Sequence, residues 1–214
     1  VSVLVGVLMA VAVTFVVAAE RSARRAIAIA AKPAASLGFV IVAVSRVHTG
    51  CTYDAWVLLA LLLCFAGDVL LLFRRAFAGG LVTFLLGHLA FVAAFTALLP
   101  PRSWPVACVL VPLAASAVAV HWLSPHLGRL RVAVLAYVAV ITVMVWGACG
   151  VAARGVAPWF LAAGAGLFYV SDLAVAHDRF VRKAFAARTW GLPAYYVGQF
   201  LLALTVGVTG KPLG

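Results

Sequence analysis

Residues 54–73 read DAWVLLALLLCFAGDVLLLF. A run of about twenty apolar residues is the length that crosses the hydrocarbon core as a helix, and within this one Asp68 stands among apolar side chains, directly after Gly67. A carboxylate in that setting costs about 2.5 to 3.5 kcal/mol on insertion scales, so an intramembrane acid is by default a functional candidate. The pattern returns at Ser171-Asp172. The whole chain has five acidic residues in 214, so two of them inside apolar runs call for a reason.

The composition agrees with the reading of that one segment. Apolar residues make up 67% of the chain and the mean hydropathy is +1.20, well above soluble domains. Apolar runs recur along the full length, without the alternation of a membrane β-barrel. The predicted fold is therefore all-α, a polytopic membrane helical bundle. The net charge of +11 sits in short loops between apolar runs, not on a basic helix or an aromatic-interleaved strand. It points to topogenic charge and anionic lipid headgroups, and no nucleic acid partner is expected. Cys64, Cys108 and Cys149 lie inside apolar runs and Cys51 is alone in a loop, so neither a disulfide framework nor a metal cluster is implied. The first apolar run is followed by Glu20 and three arginines, not by a small-residue cleavage site, and reads as a retained span.

Charge clusters divide the chain into about eight spans: 1–19, 26–45, 54–73, 79–99, 104–122, 131–150, 156–176 and 193–209. No connector is long enough to separate soluble domains, so residues 1–214 form a single integral membrane domain. The odd-numbered loops carry Arg21, Arg24, Arg25, Arg74, Arg75, Arg129, Arg131, Arg179, Arg182, Lys183 and Arg188, eleven basic residues. The other side carries four: Arg46, Arg102, Arg154 and Lys211. The positive-inside rule places the odd loops in the cytoplasm and both termini outside. The compact, loop-poor chain leans towards a bacterial plasma membrane.

At 1.5 Å per residue this topology fixes depths. Asp68 lies about 7 Å, Asp172 about 6 Å, Lys32 about 9 Å and His88 about 14 Å from the cytoplasmic end of its span. Tyr195, Tyr196 and Gln199 fall in the first turns of span eight, with Tyr195 and Gln199 on one face. Polar groups from five helices thus gather in the cytoplasmic half, where lipid cannot satisfy them. Each has a plainer explanation: Lys32 ahead of Pro33 can snorkel, His88 can be interhelical glue, and Tyr195 and Tyr196 can be belt aromatics. Asp54, His177 and Asp178, near loop ends, are expected to be solvated. A faint internal repeat pairs Gly67-Asp68 and Gly87-His88 with Ser171-Asp172 and Gly198-Gln199. It suggests a 4+4 parallel pseudo-repeat of halves 1–103 and 104–214, with one aspartate from each.

Five segments carry a family resemblance, in order over nearly the whole chain. They are Lys32-Pro33, LCFAGDVLLL around Asp68, LLGHLAF around His88, LFYVSDLAVA around Asp172, and PAYYVGQFLL from Pro193. Together they resemble the YhhN-like lysoplasmalogenase family of bacterial and animal membrane enzymes. The resemblance implies an eight-span hydrolase that cleaves the vinyl-ether bond of lysoplasmalogens. Its products would be a fatty aldehyde and a glycerophospho-headgroup compound, and its partners the lysophospholipid substrate and membrane lipids.

That reaction suits the residues. Protonation of the distal alkene carbon gives an oxocarbenium ion, water adds, and the hemiacetal collapses. This asks for one protonated carboxyl and one carboxylate, as glycoside hydrolysis does. Asp68 and Asp172 are the catalytic pair, either of them able to be the acid. His88 orients water or relays a proton. Lys32 is placed to hold the substrate phosphate or keep one aspartate ionised, while Tyr195, Tyr196, Gln199 and Ser171 line the substrate site. Asp68, Asp172 and His88 could together ligate a hydrolytic metal, but no HxxxH or HExxH spacing accompanies them, so no metal or cofactor is expected. A competing reading makes the same aspartates the proton relay of a small transporter; their off-midplane depth weighs against it.

Overall fold

A computed structural model describes residues 2–21, 25–182 and 185–208, the side chains of 19–21, 25–28, 74 and 185 excepted. Arg24, Lys183 and Lys211 and the side chains of Arg21, Arg25 and Arg74, all used in the charge count, lie outside this description. Eight α-helices follow: α1 (Ser2–Arg21), α2 (Arg25–Val44), α3 (Thr52–Leu71), α4 (Phe77–Leu98), α5 (Ala107–Leu123), α6 (Arg131–Ala153), α7 (Trp159–Ala176) and α8 (Phe185–Leu204). There is no strand among the described residues. Five segments, Thr52–Leu71, Phe77–Leu98, Ala107–His126, Gly128–Ala153 and Trp159–Val181, are long and apolar enough to cross a membrane. Ser2–Ala18 and Ile29–Val44 are apolar but shorter.

Local chemistry sets the ends. Pro158, extended at φ −66° and ψ 151°, opens α7 in keeping with the φ that proline enforces. After α6, Gly155 takes φ +70°, and the Val156 amide turns back to the Val151 carbonyl at 3.2 Å. That is the left-handed glycine stop that satisfies otherwise orphaned helix carbonyls.

Two ends depart from the sequence reading. Trp104, expected to open the fifth span, stays outside α5; its indole packs on Gly147 and Gly150 of α6 and donates to the Leu99 carbonyl at 2.9 Å. The basic connector from His177 to Leu192 is mostly helical. Residues His177–Val181 continue α7 as a π turn, and α8 begins at Phe185, so Arg188 joins its first turn and Pro193 lies inside it. Tyr195 and Gln199 therefore sit well within α8, not in its first turns.

The helices pack as α1 with α2, α3 with α4, α5 with α6 and α7 with α8. Further contacts run α2–α3, α6–α7, α4–α6, α2–α8 and α1–α8. Glycine makes the tight pairs possible, as small residues do where backbones approach in membrane bundles. A Cβ on Gly164 of α7 would come within 2.9 Å of the Gly198 carbonyl of α8, and one on Gly198 equally near the Gly164 carbonyl. Between α3 and α4, a Cβ on Gly87 would lie 3.0 Å from Cys64 Sγ. The centre is filled by Phe39, Phe91, Phe95, Phe168 and Met144, all fully buried. The outer face of α5 shows Val106, Leu110, Val111 and Val118 to the surroundings, an apolar exterior suited to lipid.

Candidate active site

The polar residues gather at the end of the bundle where α3 turns into α4 and α7 into α8. Asp68, on the last turns of α3, is 8% exposed. Its Oδ2 accepts a hydrogen bond from Ser36 of α2 at 2.6 Å and one from the Tyr195 hydroxyl of α8 at 2.7 Å. Two donors on one oxygen are the environment of a carboxylate acceptor. Ser36 Oγ also lies 3.0 Å from the Lys32 carbonyl, which ties the Asp68 support to the turn of α2 that carries Lys32.

Asp172, on α7, is held differently. Its Oδ2 accepts from Tyr137 of α6 at 2.9 Å and lies 3.4 Å from Nε2 of the fully buried His88. The other ring nitrogen, Nδ1, is 2.7 Å from the Phe84 carbonyl. A carbonyl can only accept, so Nδ1 carries a hydrogen. Nε2 has no hydrogen-bond partner and faces the carboxyl. The two facing atoms, 3.4 Å apart, are set to share a proton. The ring is fixed by stacking on Phe168, 4.3 Å between centroids and 24° between planes.

Both aspartates line one cavity of about 430 Å³, together with Lys32, Ser171, Tyr195 and Tyr196. Cys64, one turn before Asp68 on α3, is fully buried. His88 stands behind Asp172 and Gln199 against Cys64, neither of them on the cavity wall. Gln199 Nε2 reaches Cys64 Sγ at 3.5 Å and its Oε1 is buried without a partner. Ser171 Oγ donates to the Phe168 carbonyl at 2.7 Å, so its hydroxyl hydrogen is used within its own helix. Tyr196 points its hydroxyl at the Lys32 carbonyl, 3.4 Å away.

Three wall residues, Tyr137, Arg179 and Arg188, and the buried Asp68 partner Ser36 were not singled out from the sequence. Ser36 is one turn beyond Lys32 on the same helical face, and Tyr137 lies six positions inside α6, at the depth of the other polar groups. Depth counting extended to hydroxyls would have found both. Arg188 pairs with Asp178 at 3.0 Å, and Arg179 lies over the Phe77 ring at 4.4 Å; both reach the cavity because the supposed connector is helical.

Of the three residues expected to be solvated, Asp54 is fully buried, which corrects the expectation, while Asp178 and His177 are half-buried and partnered. Asp54 accepts from the amides of His48 at 3.0 Å and Gly207 at 3.1 Å; it ties the end of α8 to the start of α3. Asp178 is held by Arg188. His177 stacks on Trp122, 5.6 Å between centroids. Among the described residues no group of three or more His, Cys, Asp or Glu side chains is arranged to hold a metal ion.

Fold and site together define an all-helical protein of membrane-protein composition whose two interior carboxyls share a basic-walled cavity. The chain belongs to the YhhN family, whose model matches residues 27–206. It is 34% identical over 166 residues to a protein named lysoplasmalogenase from Mycobacterium tuberculosis (strain CDC 1551 / Oshkosh), covering 73% of this chain and 62% of that protein. The match thus spans about six-tenths of the mycobacterial relative's length. Lysoplasmalogenase TMEM86A of Bos taurus is 30% identical, with 83% of this chain and 72% of that protein covered. Lysoplasmalogenase TMEM86B of Sus scrofa is 32% identical, with 80% and 72% covered. No solved structure matches the chain significantly.

Proposed function

We propose that the chain is an integral membrane hydrolase that cleaves the vinyl-ether bond of lysoplasmalogens, with Asp68 and Asp172 as the reacting carboxyls. The observation that carries this reading is the unlike support of two carboxyls on one cavity: hydroxyl donors alone on Asp68, an imidazole nitrogen at Asp172. The names of the relatives point the same way.

The roles follow from the donors. The Asp172–His88 pair holds one transferable proton and delivers it to the distal alkene carbon, leaving an oxocarbenium ion. Asp68, ionised under its two donors, stabilises that cation and takes a proton from the water that adds to it. As the hemiacetal collapses, Asp68 returns its proton to the departing ether oxygen. The hemiacetal hydroxyl proton goes to the Asp172–His88 pair, and the enzyme is back at its starting state. Lys32 supplies positive charge near Asp68, and Tyr195, Tyr196 and Ser171 shape the glycerol side. Gln199 supports the site from behind. The reaction so written uses no cofactor.

All eight helices are proposed as spans of one membrane domain, with the odd loops in the cytoplasm, both termini outside and the cavity open to the cytoplasmic leaflet of a bacterial plasma membrane. The 4+4 repeat is supported by the glycine contacts. A shift of 104 carries Ala60, Gly67 and Asp68 of α3 onto Gly164, Ser171 and Asp172 of α7. A shift of 111 carries Gly80 and Gly87 of α4 onto Gly191 and Gly198 of α8. Gly87 faces the Ala60 carbonyl as Gly198 faces that of Gly164, and Gly80 the Gly67 carbonyl as Gly191 that of Ser171. The same shifts turn the His88–Phe168 contact into the Gln199–Cys64 contact. The fourth helix of each half thus serves the aspartate helix of the other. Packing follows suit, except for α1–α8 and the smaller α3–α8 contact, which have no equal counterparts.

The test is turnover of lysoplasmenyl-ethanolamine beside its saturated 1-alkyl and 1-acyl analogues. Aldehyde release from the vinyl ether alone is expected, and its loss by at least ~100-fold in Asp68→Asn and in Asp172→Asn. No aldehyde from purified, folded protein sinks the hydrolase reading; proton-driven flux across vesicles that both variants abolish would favour a transporter.

A further inference from the structure

A second, apolar cavity of about 100 Å³ opens between α4, α5, α6 and α7. Its wall includes Ala119, Leu123, Val134, Val138 and Ile141, and no residue of α1, α2, α3 or α8 lines it. It meets the basic-walled cavity at Asp172, Tyr137 and Arg179, which line both. One carboxyl and its phenol donor therefore stand where a polar chamber becomes an apolar one.

We infer that the alkenyl chain enters the apolar cavity while the glycerophospho headgroup stays in the basic one with its phosphate at Arg179, so that the vinyl ether lies over Asp172. This rests on the lysoplasmalogen reading, and adds a register of the substrate and the groups that select it. The vinyl ether is itself the junction between hydrocarbon and glycerol, so it belongs where the walls change character. Asp172 and Arg179 are seven residues apart, the second on the π turn that continues α7, about 10 Å along the axis, and both line the two cavities. The three-carbon glycerol backbone plus the reach of an arginine bridges that interval. Arg179 is an exposed residue whose guanidinium is braced on the Phe77 ring, a planar donor suited to phosphate.

The rival channel for the chain is the groove between α1 and α8, lined by Gly6, Met9, Val13, Val197 and Phe200. It shares only Tyr196 with the basic cavity and touches neither carboxyl. A chain lying there would hold the ether away from Asp172.

Two measurements test the register. In the first, Val138→Phe and Val134→Phe narrow the apolar cavity, and Val197→Phe fills the α1–α8 groove as control. For long-chain lysoplasmenyl substrates kcat/KM should fall at least ~10-fold in the first two, and much less for short-chain ones, as pockets discriminate by methylene. The control should match the parent. In Arg179→Gln the kcat/KM ratio of lysoplasmenyl-ethanolamine to headgroup-free alkenylglycerol should drop about tenfold, the loss of one charge-assisted contact. A fall independent of chain length, a response confined to Val197→Phe, or an unchanged ratio overturns the register. The second measurement needs no turnover. A 1-O-alkyl lysophospholipid with a diazirine in its chain should crosslink to residues 134–141 and to Leu123; crosslinks on α1 and α8 overturn the proposal. If aldehyde is never released but the crosslinks appear as expected, the register stands for a lysophospholipid ligand and the hydrolase reading alone fails.

Discussion

Tyr137 and His88 show how a residue's role depends on what faces it across the bundle. His88 was legible as a polar group at odds with its span, but the sequence says nothing of the Phe84 carbonyl that fixes its tautomer or the Asp172 oxygen 3.4 Å away. Those contacts join α4 to α7, and one sequence gives no helix order. Tyr137 was passed over because tyrosine fits an apolar helix without cost to its ring, and only its hydroxyl betrays a partner. Its hydrogen bond to Asp172 gives a sharp expectation. Tyr137→Phe keeps the ring edge against His88, 5.3 Å between centroids, and removes one donor from the proposed acid, Asp172. Turnover of lysoplasmenyl-ethanolamine should fall about tenfold in kcat with KM near the parent value. A change in KM alone would make Tyr137 a wall residue only. His88→Phe should cost more, about 100-fold, because the proton of the Asp172–His88 pair loses its second site. A thermal midpoint near that of the parent, with stacking on Phe168 preserved, would separate that loss from unfolding.

At the scale of helices, pairing depends on glycines that read in the sequence as mere apolar filler. The α7–α8 contact closes where Gly164 and Gly198 face each other, each built-on Cβ meeting the opposite carbonyl oxygen at 2.9 Å. A backbone oxygen on a packed helix cannot swing aside as a side chain can. Gly164→Ala and Gly198→Ala should each destabilise by about 1–3 kcal/mol, the usual cost of overpacking, seen as a lower detergent-solubilised melting temperature. Gly166, two residues along the same helix, has nothing within 4 Å of its built Cβ. There alanine should be neutral or raise stability by up to about 1 kcal/mol, the helix-propensity gain over glycine. If Gly164→Ala and Gly166→Ala behave alike, close approach is not what holds α7 to α8. The helices themselves were read from sequence to within a few residues, since length and apolar content decide them. The start of α8 was not: Arg188 looks like a loop residue, whereas α8 begins at Phe185 and carries Arg188 towards Asp178 and the cavity.

At the scale of the whole molecule, the charge asymmetry and the site make a joint claim about sidedness. The α3–α4 and α7–α8 connections, rich in arginine, are also the end at which the cavity lies, so the proposed positive-inside orientation would open the site to the cytoplasmic leaflet. The opposite end is closed by Asp54 binding the amides of His48 and Gly207, and by Arg46 donating to the Val206 carbonyl at 3.0 Å. Gly207 is tight there: at φ +75°, a Cβ would lie 2.5 Å from the Arg46 carbonyl oxygen. A basic-walled cavity at one end and a polar clasp at the other give the bundle two unlike faces, which labelling can tell apart. Starting from a chain with Cys51→Ser, His126→Cys at the α5–α6 turn should resist a membrane-impermeant thiol reagent in intact cells and react after permeabilisation. Pro101→Cys, exposed at the α4–α5 turn, should react in intact cells. The reverse pattern would invert the bundle and open the cavity to the outer leaflet. The carboxyl chemistry would be untouched by that result, but lysophospholipid would have to reach the site from the external face.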